Sequence, residues 1–120
     1  MVNRKILICD DEEGIRESLK LILEDHYDLI LAENGAQCLE CLEVAKDISL
    51  VLIDIKMPKV HGLDILKQIK TRHETVKVIV VTGYKSVETA MEASHSGASD
   101  YIVKPFKSKE ILDSVKKILG

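Results

Sequence analysis

Short apolar runs of strand length alternate with segments of helical period along almost the whole chain, and this alternation restricts the fold more than any other feature. Lys5–Cys9 reads as a strand, after which Ile15, Leu19, Ile22 and Leu23 fall on one helical face. Residues 27–32 form a second strand, closed by Asn34-Gly35, a turn signal that opens the next helix. That helix runs to about Ala45 with Leu39 and Leu42 inward, and residues 50–55 make a third strand. After the Met57-Pro58 break and Gly62 comes a helix carrying Leu63, Leu66 and Ile69. Residues 76–81 are the most strand-like run, all Val and Ile after Lys77. Val87–His95 reads as a helix that Gly97 ends, residues 101–103 as a short fifth strand, and Ser108–Leu119 as a closing helix.

Five strands therefore alternate with five helices. The middle strands are apolar throughout, as strands covered on both faces must be. Right-handed crossovers then give a doubly wound α/β fold, a five-stranded parallel sheet with helices on both sides. There is no linker, repeat or low-complexity tract, so residues 1–120 read as one domain.

Bulk properties remove several function classes. With 46% hydrophobic and 31% charged residues the chain is globular rather than disordered. A net charge of −3 and no basic block leave no electrostatic footprint for nucleic acid. The absence of Trp and a single Phe, Phe106, argue against a stacking surface. The apolar runs are far too short to cross a membrane, and the N-terminus passes from Met1 into a strand pattern without a signal-peptide core. Three cysteines in such a chain fit a reducing, cytoplasmic setting.

In an open parallel α/β sheet, sites form beyond the carboxyl ends of the strands. At those ends stand Asp10 and Asp11 after the first strand, Asp54 at the end of the third, Thr82-Gly83 at the end of the fourth and Lys104-Pro105 after the fifth. Three carboxylates and one lysine carry a charge of about −2, which calls for a cation among them. Hard oxygen ligands suit Mg²⁺ or Mn²⁺, and no Cys or His at this rim offers a softer alternative. With a divalent ion and Lys104 the pocket can accept a phosphoryl group, held also by the Thr82 hydroxyl. Asp54, alone at its strand end, is the natural nucleophile, and its attack on phosphorus would give an aspartyl phosphate.

These residues make the chain resemble a receiver domain of a two-component response regulator over essentially its whole length. Asp10 and Asp11 match the family's acidic pair, Asp54 its phosphoacceptor in the stretch DIKMP, and Thr82 its switch hydroxyl. Lys104 matches the lysine of K-P-F, and Tyr101 the switch aromatic. The resemblance implies a flavodoxin-like, CheY-like sheet of strand order 2-1-3-4-5 and a cis Lys104-Pro105 bond. It also implies a third protein metal ligand in the main-chain carbonyl of Lys56, and a backbone turn at Gly62. The run TGYKSVETAMEASHSGASDYIVKPF is most similar to receivers of the nitrogen-regulation type. Lys56, Gly83 and Tyr84 would flank the phosphoryl group, where a cation and a bulky ring predict slow hydrolysis. A ring swing of Tyr101 following the Thr82 hydroxyl would couple the site to the face of the fourth helix, fifth strand and fifth helix.

By the same resemblance the donor is a sensor histidine kinase or a histidine phosphotransfer protein. The domain is a regulator, not a metabolic enzyme, and it is either free-standing or the first piece of a longer one. It would bind no nucleic acid and no membrane itself. Homodimerisation through the fourth and fifth helices fits the family, although the sequence offers no decisive apolar stripe for it.

Other features have plainer readings. Glu12 and Glu13 read as first-turn acids favoured at a helix N-terminus, with contact of Glu12 to a metal shell through water as the alternative. Cys38 and Cys41 form a C-x-x-C within a helical pattern and read as packing, since a zinc site needs two further ligands at matching spacing. His26, His61, His73 and His95 are scattered and read as surface residues. A flavodoxin-like cofactor carrier would need a Gly/Ser/Thr-rich loop where this chain has DDEEG. A haloacid-dehalogenase-type phosphatase would need D-x-D after the first strand, which CDDEE lacks. An interaction module that has abandoned phosphorylation would be expected to lose the acids or the lysine.

Overall fold

The computed structural model describes residues 4–57 and 60–120. Five strands, β1 (Lys5–Cys9), β2 (Asp28–Ala32), β3 (Ile48–Ile53), β4 (Lys77–Thr82) and β5 (Asp100–Val103), form one parallel sheet. Their spatial order is β2-β1-β3-β4-β5, the order the resemblance implied. Five helices follow them: α1 (Glu13–Leu23), α2 (Gly35–Val44), α3 (Gly62–Arg72), α4 (Val87–His95) and α5 (Ser108–Leu119). A small antiparallel ladder, Lys56–Met57 with Val60–His61, bridges β3 and α3. Pro58 and the side chain of His61 lie outside the described residues.

The alternation of side chains along each strand builds two cores. Leu7, Val51, Ile53, Val78 and Val80 pack under α2 and α3 on one face. Ile6, Ile8, Leu50, Leu52, Ile79 and Val81 pack under α1 and α5 on the other, against Leu19, Leu23, Ile111 and Val115. Burying each such aliphatic side chain contributes roughly 1.5–3 kcal/mol, so the three central strands anchor the molecule from both faces.

The sequence bounds of α4 and α5 hold, whereas the third strand lies at Ile48–Ile53, earlier at both ends than the expected residues 50–55. Ile48 is paired with Lys5 before a register shift between Lys5 and Ile6, an irregularity with no sequence signal. Cys38 proves fully buried beside Cys9, consistent with packing, and hydrogen bonding with Cys38, then burial, push the Cys9 thiol pKa far up. His73 departs from the surface reading: it is half-buried, with Nε2 at 3.3 Å from Glu43 Oε1 between α2 and α3.

Two glycines are required by geometry. Gly97 takes φ +107° where α4 ends, a conformation that side chains oppose. Gly62 opens α3 hard against the backbone of Ile55, where any Cβ would overlap the Ile55 Cα and carbonyl.

Candidate functional site

The rim residues continue the sheet's own hydrogen bonding by one step. The Asp10 N–H donates to Ala32 O at 3.1 Å, the Asp54 N–H to Cys9 O at 3.0 Å, and the Lys104 N–H to Thr82 O at 2.8 Å. Each residue is therefore seated by the last carbonyl of a neighbouring strand, at the edge of the packed core. The Lys104–Pro105 peptide is cis.

Lys104 Nζ lies 2.8 Å from Asp10 Oδ2 and 2.9 Å from Asp54 Oδ2, joining residues that are far apart in sequence. The two carboxylates are 2% and 3% exposed, so the three groups form a buried charged cluster. The remaining oxygens are also occupied by the chain. Asp10 Oδ1 accepts from the Glu12 N–H at 2.9 Å, and Asp54 Oδ1 from the Lys56 N–H at 2.8 Å. Burial pushes the Asp10 pKa up, against the pull of Lys104 and the Glu12 N–H. Burial opposes the charge of Lys104 too, but its bonds to Asp10 and Asp54 outweigh that and hold it above its ordinary value.

Carboxylate oxygens of Asp10, Asp11, Glu12 and Asp54 gather within 4.8 Å of one another. Such a donor set fits a hard divalent cation with several retained waters. Glu12 departs from the first-turn reading. It occupies the N-cap position of α1 with extended backbone, and its Oε1 is 3.8 Å from Lys104 Nζ, so it faces the cluster while Glu13 opens the helix. A run of four acids does not reveal which one turns back.

Thr82 is fully buried at the end of β4, and Gly83 beside it leaves open space where a side chain would stand. Tyr84 ties the neighbouring groups together. Its N–H approaches Thr82 Oγ1 at 3.5 Å, and its carbonyl accepts from the Tyr101 hydroxyl at 2.9 Å. Lys56 Nζ stands 5.3 Å from the Tyr84 ring centroid, within cation–π range. The expected residues Asp10, Asp11, Asp54, Lys56, Thr82, Gly83, Tyr84, Tyr101 and Lys104 thus stand at one end of the sheet or in contact with it.

Sequence reasoning missed Arg16, whose Nη1 donates to the Asp10 main-chain carbonyl at 2.8 Å. The available signal was its spacing: Arg16, Leu19 and Leu23 lie on one helical stripe, and an arginine on an inward stripe needs a partner.

The arrangement is that of a phosphoacceptor signalling domain. Residues 6–116 match the response regulator receiver domain, and the chain belongs to that family. It is 39% identical over 120 residues to sporulation initiation phosphotransferase F of Bacillus subtilis, covering 99% of this chain and 96% of that protein. It is 43% identical over 101 residues to the transcriptional regulatory protein ZraR of Klebsiella oxytoca, covering 83% of this chain but only 23% of ZraR. Among solved structures, a CheY-like receiver domain protein from Methanospirillum hungatei superposes with a TM-score of 0.90 at 34% identity, covering 96% and 92% of the two chains. NtrX from Brucella abortus does so with a TM-score of 0.91 at 30% identity, over 98% of this chain and 27% of that one. No helix among the described residues is long and apolar enough to cross a membrane.

Proposed function

We propose that residues 1–120 are one receiver domain that accepts a phosphoryl group on Asp54 in a Mg²⁺-dependent reaction, with Mn²⁺ as an alternative ion. The observation that carries this reading is Lys104 Nζ bridging Asp10 and Asp54 at 2.8 and 2.9 Å where carboxylate oxygens of Asp10, Asp11, Glu12 and Asp54 gather. Asp10, Asp11, Asp54 and the Lys56 main-chain carbonyl are the protein ligands in this reading, with Glu12 near enough to act through water. Held by these residues, a divalent ion would supply positive charge that offsets the acids and polarises phosphoryl oxygens.

The donor is phosphohistidine on a sensor kinase or phosphotransfer protein. A carboxylate oxygen of Asp54 attacks phosphorus, a P–O bond forms, the P–N bond breaks, and the imidazole nitrogen leaves with the bonding pair. Lys104 and the Thr82 hydroxyl hold phosphoryl oxygens as charge shifts toward them. In hydrolysis, water attacks phosphorus and Asp54 departs as the carboxylate. The protein aids these two steps on itself and acts as a cytoplasmic regulator. Tyr84 supports a switch role for Thr82 and Tyr101, because movement of the Thr82 hydroxyl toward a phosphoryl oxygen loosens the peptide that Tyr101 grips.

Homodimerisation through α4, β5 and α5 has less support. The exposed apolar pair of α4, Val87 and Met91, lines a groove with Lys67 of α3 instead.

Intact mass after incubation with acetyl phosphate tests the reading, with and without Mg²⁺ and beside Asp54→Asn. One phosphoryl addition that needs both Mg²⁺ and Asp54 is expected. No addition to a folded protein would favour an interaction module that does not use phosphorylation.

A further inference from the structure

Asp10 is held at four points. Its N–H is bound by Ala32 O, its Oδ1 by the Glu12 N–H, its Oδ2 by Lys104 and its carbonyl by Arg16. The first three contacts belong to the sheet or to the acid cluster itself. The fourth arrives from α1, through an Arg16 side chain only 12% exposed, whose Nη2 also stands 3.7 Å from Glu33 Oε1 in the loop after β2. An apolar side chain on that stripe of α1 would avoid the desolvation that a guanidinium suffers there.

The bonded carbonyl lies in the peptide plane that joins Asp10 to Asp11. Because that plane is rigid, fixing its oxygen fixes the direction in which the chain leaves Asp10 and enters Asp11. Both carboxylates belong to the acid cluster, so this contact from α1 reaches the peptide that carries two of its acids.

We propose that Arg16 is a positioning residue of the cation site, holding the Asp10–Asp11 peptide so that both carboxylates face it. This rests on the reading of those acids as cation ligands given above.

Charge and position make opposite predictions. A guanidinium near the acids repels a divalent cation, so if charge alone mattered, removing Arg16 would tighten Mg²⁺ binding. If Arg16 holds the peptide, removing it weakens binding, as loss of outer contacts to metal ligands generally does.

The test is calorimetric titration of the full chain with Mg²⁺, beside thermal melting without metal, for the wild type, Arg16→Ala, Arg16→Lys and Glu33→Gln. Arg16→Ala is expected to raise the Mg²⁺ Kd about tenfold. Arg16→Lys, which keeps the charge but not the rigid fork, should fall between, about threefold weaker than wild type. Glu33→Gln should bind as wild type does, because its contact is long and exposed.

Unchanged or tighter Mg²⁺ binding in Arg16→Ala overturns the proposal, even if the variant melts earlier. Should Arg16→Ala fail to fold, wild-type affinity in Arg16→Lys overturns it equally. A wild type that binds no Mg²⁺ would sink the reading of the acids, and this inference with it. Wild-type binding with no effect at Arg16 would sink this inference alone.

Discussion

The Tyr101 hydroxyl donates to the main-chain carbonyl of Tyr84 at 2.9 Å, and the N–H of that same Tyr84 approaches the Thr82 hydroxyl at 3.5 Å. One residue therefore carries both contacts, one to the rim and one to β5. Tyr101→Phe removes the outer contact and should cost about 0.5–1.5 kcal/mol, toward the lower end because the bond meets solvent. The amide of Tyr84 should exchange faster in Tyr101→Phe, while the yield of phosphorylation at Asp54 stays near wild type. Thr82→Ala should speed the same exchange and also slow phosphorylation. Unchanged exchange in both variants would mean that Tyr84 does not couple them.

Lys104→Met leaves Asp10 and Asp54 facing one another in the core without their ammonium. The metal-free variant is expected to lose up to about 3 kcal/mol of stability, limited by the ability of one carboxyl to take up a proton. Added Mg²⁺ should recover part of that loss without restoring phosphorylation. Denaturant melts with and without Mg²⁺ check both halves.

Asp10 makes stability depend on pH in a direction opposite to that of an ordinary paired acid. Burial raises its pKa in the folded protein despite Lys104 and the Glu12 N–H. Between the ordinary value and the raised one, the folded chain keeps a proton that the unfolded chain has released. This contribution therefore grows as pH falls through the raised value and levels off below the ordinary one. Metal-free melts from pH 7 downward should show that component in the wild type, and its absence from Asp10→Asn.

Gly62→Ala and Gly83→Ala form a matched pair. The first drives a methyl group into the Ile55 backbone and should cost about 1–3 kcal/mol or more. Because Ile55 follows Asp54, phosphorylation should fall with it. The second meets open space and should change stability by less than about 0.5 kcal/mol. Equal effects from both would contradict the close approach at Ile55.

Lys56 and Tyr84 face each other in cation–π range beside Asp54. If together they keep water from the line of attack, Lys56→Ala and Tyr84→Ala should each shorten the phosphoryl lifetime. The double change should then be less than additive, since each alone already opens the contact. A lifetime indifferent to both would rule out that screening.

The sheet was legible because its central strands are apolar on both faces, a pattern that few other architectures produce. The main rim positions followed from where those strands end. What escaped depended on contacts between segments remote in sequence. Ile48 joins β3 because Lys5 pairs with it, and His73 is half-buried because Glu43 of α2 meets it after α3. Glu12 and Arg16 escaped for a shared reason. Whether a polar side chain in the first residues of a helix looks outward or back toward the preceding strand is decided by the turn between them, and ICDDEEGIR reads the same either way.

The pairing of Tyr84 with Tyr101 also gives this protein its own optical probe. The chain has no tryptophan and three tyrosines, the third being Tyr27, which stacks edgewise near His26. Its near-ultraviolet absorption and emission therefore come chiefly from phenol rings, and the hydroxyl of one, Tyr101, binds the main chain of another, Tyr84, which in turn adjoins Thr82 at the rim. Tyrosine emission and circular dichroism near 280 nm should follow events at the rim without any attached dye, and Tyr27→Phe would leave a signal confined to the pair.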